Sequence, residues 1–209
     1  MFYETAKNDH GLARNPLKAI VAPRPIGWIT SMSARGEINL APYSFFNAVS
    51  DDPPIVLFSS EGPKDSLVFI EETKEFVCNL ATFDLRNAVV ETSGRFPRGV
   101  NEMDQCGVAP APSRLVRPPR VAASPCALEC RLLQIVDVKD LQGRPSTRYV
   151  AFGQVVGVHI DDRFIKDGRL DTAAMQPLAR CGYADYSVVD KVFAMARPKL
   201  PFPKQDAAE

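Results

Sequence analysis

Alternation of period two dominates the chain. Ile26–Ser33 sets Ile26, Trp28, Thr30 and Met32 on one side of an extended segment, Ala34-Arg35-Gly36 supplies turn chemistry, and the apolar pattern returns over Ile38–Val49. These features predict a hairpin. Pro54–Ser60 is a short apolar run behind the turn signal Asp51-Asp52-Pro53-Pro54, and Glu75–Thr82 alternates again. The longest strand candidates are Cys126–Val138 and Arg148–Ile160, parted by Leu141-Gln142-Gly143-Arg144-Pro145 into a second hairpin-like unit.

Helical periodicity is sparse. Lys64–Glu72 follows Gly62-Pro63, and proline suits a first helical position. Asp84–Thr92 carries Leu85, Ala88 and Val89 at spacing i, i+3, i+4. Ser93–Arg120, rich in Gly, Pro and Arg, predicts a long loop or lid with a turn or two of helix. Six or more strands with short helices inserted among them predict a mainly β fold, an antiparallel barrel with helical caps. No repeat or composition shift divides the chain. Residues 1–209 therefore read as a single domain, its core at about 15–198 and a tail at 199–209.

Charge narrows the partners. Twenty-five Lys and Arg balance 25 Asp and Glu, which leaves no net positive charge to release counterions from a nucleic acid. The longest uncharged stretch, Ile38–Ser50, is interrupted by Pro42 and too short to span a bilayer, so no membrane is expected. Met1–Asn15 has neither the basic start nor the apolar run of a secretory leader. The five cysteines are an odd, scattered set and read as buried reduced thiols. Cys126 and Cys130 have no histidine nearby to complete a zinc site. The location expected is cytoplasmic. Eighteen prolines against 12 glycines imply many irregular connections around a real core.

Chemistry is carried by few groups. No G-x-G-x-x-G follows a strand, and neither a phosphate-loop signature nor a G-x-S-x-G elbow occurs. His10 and His159 are the only histidines, and His159, beside Asp161 and Asp162, reads as hydrogen-bonded or solvent-facing. No catalytic side chain or metal ligand is expected. Hydroxyls, an amide and a lysine do gather near strand ends: Thr30-Ser31, Ser44 with Asn47, Ser59-Ser60 and Lys64-Asp65-Ser66. Such groups can ring a phosphate, and a helix start at Lys64–Ser66 adds free backbone N–H groups. Each also has a plainer reading: Ser66 as an N-cap, Thr30 as a β-former, Lys64 as solvated surface. Trp28 reads as core, and Phe45 and Phe46 point to opposite faces of a strand.

Read together in order, several motifs become familiar. Arg24-Pro-Ile-Gly-Trp-Ile-Thr-Ser31, Asn39-Leu-Ala-Pro-Tyr-Ser-Phe-Phe-Asn47, Asp52-Pro-Pro54, Lys64-Asp65-Ser66 and Glu75-Phe-Val-Cys-Asn-Leu80 resemble the flavin reductase-like family of FMN-binding split barrels, nearest its flavoredoxin-like branch. Pro119-Arg-Val121 through Glu129-Cys130, Pro177-Leu-Ala-Arg-Cys-Gly-Tyr183 and Phe193-Ala-Met-Ala-Arg-Pro198 extend the likeness over roughly residues 15–198.

That resemblance implies a six-stranded antiparallel split barrel, homodimeric, with FMN near the dimer interface. It places Ile29, Thr30 and Ser31 along the flavin and brings Ser44, Phe45 and Asn47 from the returning strand. Ser59, Lys64 and Ser66 surround the phosphate, while Arg180 and Tyr183 serve the cofactor or the partner subunit. The activity implied is that of an FMN-dependent oxidoreductase of the flavin reductase type (EC 1.5.1). Electrons pass from NADH or NADPH through FMN to a small molecule or a redox protein. The alternatives are an FMN-binding electron carrier without NAD(P)H turnover and a split barrel that binds another cofactor, such as haem or a deazaflavin, or serves as an interaction module.

Overall fold

In the computed structural model, described for residues 1–196 and 198, seven strands form one antiparallel sheet. They are β1 (Gly27–Met32), β2 (Ile38–Tyr43), β3 (Phe46–Asp51), β4 (Pro54–Glu61), β5 (Glu75–Leu80), β6 (Cys126–Lys139) and β7 (Pro145–Ile160). Their order is β2-β1-β5-β6-β7-β4-β3. Both expected hairpins form. Gly27 pairs with Tyr43 and Met32 with Ile38, and β6 runs against β7 from Cys126–Ile160 to Lys139–Pro145. The first turn closes because Gly36 takes φ +91° and Ser33 Oγ accepts from the backbone N–H groups of Arg35 and Glu37.

The strand count corrects the expected six. The return segment predicted as one strand breaks at Ser44–Phe45, so its first half pairs with β1 and its second with β4. Closure is the reason: the two ends of the sheet are halves of a single bent segment, and the backbone N–H of Ser59 donates to the Phe45 carbonyl at the bend. Gly27 makes the bend possible. A Cβ there would lie 2.6 Å from the Phe46 ring, so only glycine leaves that ring its place. Register shifts within β6–β7 bend the long hairpin around the same core.

The wall of the barrel is buried on both sides at β1, where every residue from Gly27 to Ser31 is buried. Inside lie Ile29, Tyr43, Phe58, Phe76, Cys78, Cys130 and Ala151, capped by Leu67 and Ile70 of the helix Asp65–Thr73. Outside, Trp28, Leu40, Val89, Met103, Val121 and Leu178 form a second layer. Trp28 is core as expected, fully buried with its indole N–H donating to Thr92 Oγ1 at 2.9 Å.

The segment 93–120 is not a free lid. It contains the short helix Glu102–Gln105, capped by Asn101, and Pro110–Ala111 pairs with Arg120–Val121. Met103 and Val121 anchor it to the outer layer. A small sheet of Arg24–Pro25, Leu178–Arg180 and Tyr186–Val188 stands beside the barrel. Buried Arg24 ties it to the N-terminal helix Leu17–Ile20 by donating to the carbonyls of Lys18, Val21 and Cys181. Among the described residues no helix is long and apolar enough to cross a membrane. No cluster of three or more metal-ligating side chains occurs among them either. The predicted tail lies outside the described residues.

Candidate functional site

A cleft of about 600 Å³ opens where the bend, β4 and the start of the helix Asp65–Thr73 meet. It is lined by Asn39, Ala41, Pro42 and Tyr43, by Ser44 and Phe45 of the bend with Ser59 bonded to Phe45 beside them, by Lys64, Asp65 and Ser66, and by Thr92–Phe96. The size suits a small organic ligand.

The helix start presents free backbone donors to the cleft. It starts one residue after the expected Lys64, which is the N-cap residue in extended conformation and makes no side-chain cap. The first helical backbone bond returns from Val68 to Lys64, so the N–H groups of Asp65, Ser66 and Leu67 precede the ladder, and Lys64 to Ser66 line the cleft. Three cations line it too. Arg148 reaches Glu61 at 3.2 Å, and Asp65 is held at 3.0 Å by Arg98 from outside the cleft. Lys64 and Arg95 have no carboxylate within ion-pair distance among the described residues.

A buried polar chain runs beneath this helix start. Glu102 accepts from Asn39 Nδ2 at 2.7 Å and from the Leu40 backbone N–H at 2.9 Å, and Ser66 Oγ donates to Asn39 Oδ1 at 2.5 Å. Burial raises the Glu102 carboxyl, only partly offset by these donors. Burial likewise raises the Tyr43 phenol, against the hydroxyls of Ser66 and Ser60.

Of the site residues read from sequence, the fold brings Ser44, Phe45, Ser59, Lys64 and Ser66 to this one cleft. Ser66 is not surface, however, at 1% exposed. Ile29, Thr30 and Ser31 stand apart inside the wall, fully buried, with their backbones paired on both sides to β2 and β5. Thr30 Oγ1 accepts from Asn79, and Ser31 Oγ has no partner. Asn47 lies exposed on β3 and accepts from the adjacent Ala48 N–H. Arg180 and Tyr183 belong to the small sheet and its turn, where Arg180 donates to the Tyr183 carbonyl and packs on Tyr186 at 4.4 Å. Sequence reasoning missed Arg95, Arg148 and Glu102. Arg148 sits directly across the ladder from Glu61, a register that only the assembled barrel supplies.

An antiparallel barrel whose edge strands are halves of one bent segment, with a cleft beside the bend, defines the class of split barrels. The chain belongs to one family of that class: the flavin reductase like domain matches residues 21–174. It is similar to nitrilotriacetate monooxygenase component B from Bacillus cereus, with 26% identity and a TM-score of 0.82 over 92% of this chain and 95% of that one. The 2-nitrobenzoate 2-nitroreductase of Pseudomonas fluorescens is also 26% identical, with a TM-score of 0.81 over 98% of this chain and 100% of its own. Flavoredoxin of Desulfovibrio vulgaris, at 17% identity, shares the fold with a TM-score of 0.74 over 83% of this chain and 91% of that one.

Proposed function

We propose that the protein is an FMN-dependent oxidoreductase, and that it passes electrons from NADH or NADPH to a small-molecule or protein acceptor. The observation that carries this reading is the anion end of the cleft: an uncapped helix start flanked by Lys64 and Arg95, neither neutralised by a carboxylate. One phosphate fits such a set, and no glycine-rich turn offers a place for a second nucleotide, which favours FMN over FAD. Bound flavin supplies hydride acceptance and electron release.

The chain's own residues orient and shield it. Lys64, Arg95, the Ser59 hydroxyl and the helix N–H groups hold the phosphate. Phe45, 44% exposed at the bend with Lys18 and Arg24 near 5.9 and 5.8 Å from its ring, offers an aromatic platform. Arg148 and the Ser93–Phe96 wall limit water access. The chemistry needs no histidine for the hydride step, in keeping with a cleft that none lines.

The working unit in this reading is a homodimer. Val49, Leu133, Val136 and Ile160 are exposed apolar residues on the barrel strands, of the kind that two-fold association buries. Asn47, Arg180 and Tyr183 then serve the partner's cofactor. The test is reconstitution with FMN, release and chromatography of the chromophore, and anaerobic titration with NADH and NADPH. Rapid bleaching supports the reductase. Bleaching by a reduced partner protein alone replaces it with an electron carrier, and a protein that binds no flavin overturns the reading.

A further inference from the structure

We propose that Glu102 couples anion binding in the cleft to the uptake of one proton, acting through Asn39 on Ser66. The inference rests on the anion end assigned above and adds a positioning residue to it. An ionised carboxylate only accepts hydrogen bonds, so Asn39 must turn its amide NH₂ toward Glu102 and its carbonyl toward Ser66. The distances of 2.7 Å and 2.5 Å show both bonds made, and Glu102, Asn39 and Ser66 are 6%, 5% and 1% exposed. The single proton of Ser66 is therefore consumed by Asn39. An anion beside the Ser66 hydroxyl meets only its lone pairs, although the serine stands at the helix start where a donor is wanted.

Protonation of Glu102 reverses the chain. The new carboxyl O–H donates to the Asn39 carbonyl, the amide turns over, and its NH₂ donates to Ser66 Oγ. Ser66 keeps its proton but points it into the cleft. The one proton comes from solvent and stays on Glu102. Two changes then favour an anion: a negative charge disappears from the cleft and a hydroxyl donor appears. The Leu40 N–H remains bonded to Glu102 throughout.

The other charged and titratable neighbours do not mimic this behaviour. Asp65 is paired with Arg98 and Glu61 with Arg148, Asp104 accepts from Asn101, and Lys64 and Arg95 are cations that line the cleft without a carboxylate partner among the described residues. Glu91 faces Cys106 and adds to the burial that raises its thiol. Tyr43 and Cys106 titrate above the range because burial raises both. The raised carboxyl of Glu102 extends its titration upward, toward neutrality.

Sulfate is the probe, since it does not itself titrate between pH 5 and 8. Its dissociation constant and its proton uptake are measured by calorimetry in two buffers at fixed ionic strength. Wild-type affinity should fall by up to about tenfold per pH unit above the Glu102 titration, with up to one proton taken up per sulfate. Glu102→Gln, whose amide forces the turned-over Asn39, should bind sulfate at pH 8 more tightly than wild type, with no pH slope and no proton uptake. Ser66→Ala keeps the charge but cuts the relay and should lose the hydroxyl's share of the slope. It also carries the test if Glu102→Gln does not fold. A flat wild-type profile, or an unchanged slope in either variant, overturns the coupling. FMN binding without the linkage leaves the cofactor reading standing alone. Linked sulfate binding without FMN binding keeps the coupling and removes the cofactor reading, and a cleft that takes neither ligand ends both.

Discussion

Two buried glutamates, Glu102 under the cleft and Glu129 on the barrel wall, differ in what surrounds them. Glu129, 1% exposed on β6, accepts from the backbone N–H groups of Arg114, Leu115 and Val116, and shares a 2.5 Å hydrogen bond with His159 Nε2. Burial pushes its carboxyl upward, but these donors together outweigh it and hold it below the usual range. Glu102 accepts from the Leu40 N–H and the Asn39 amide with its own N–H nearby, but burial outweighs these donors, the Asp65 carboxylate adds to it, and the Glu102 carboxyl is raised. The balance of donors against burial separates a clamp from a group that responds to its surroundings. Glu129 pins residues 114–116 to the wall, whereas Glu102 sits one residue away from Ser66 in a hydrogen-bond chain.

The sharpest break of this contrast is Glu129→Ala. Three backbone donors lose their acceptor in a buried site, and unfolding in urea should show a loss of about 3–5 kcal/mol. A loss below 1 kcal/mol would mean that water replaces the carboxylate and that the clamp is not structural. Lys64→Ala probes the other region. It should leave urea stability unchanged and weaken FMN binding by about 1.5–3 kcal/mol through the loss of a charge-assisted contact. Equal affinity at fixed salt would return Lys64 to solvated surface.

The pH dependence of folding follows with opposite signs. Glu129 has a folded value below its unfolded one, so its contribution is fully present above the ordinary glutamate range and is lost as pH falls through the lowered value. Glu102 has a raised folded value, so its contribution is present at acid pH and is lost as pH rises through that value. Glu129→Gln should therefore flatten the acid limb of the stability profile, and Glu102→Gln the limb above it. The reverse assignment would contradict the donor argument. The smallest effect is expected for His159→Gln, which retains an N–H donor toward Glu129 and should cost about 1 kcal/mol or less. A larger loss would show that the imidazole contributes charge as well as a donor.

How much of this was legible in the sequence depends on range. Both hairpins, the helix behind Gly62-Pro63 and the buried Trp28 follow from local periodicity and turn chemistry. The break at Ser44–Phe45 does not, because it answers to barrel closure and to the space left by Gly27, a residue far from it in the chain. Ser44, Ser59, Lys64 and Ser66 were found as strand-end and helix-start groups, and they do meet in one cleft. Arg148 was hidden inside a long alternating run, and Arg95 among the other arginines of a segment that looked solvated. Glu129 too lies within a long strand candidate, where nothing local marks its carboxylate. Its loop of backbone donors is fourteen or so positions away, beyond any local pattern.

The bent segment has a consequence for how the chain tolerates changes in length. Because the two ends of the sheet are one continuous stretch, Ile38–Asp51, its pairing with β1 on one side and β4 on the other fixes which residue turns the corner of a hoop. An insertion or deletion within that stretch shifts the corner, and with it the cleft that the corner lines. The tip of the β6–β7 hairpin is outside the hoop: Leu141 is fully exposed and Gly143 turns at φ +78°. Extra residues belong at that tip, where they lengthen an arm without resizing the ring.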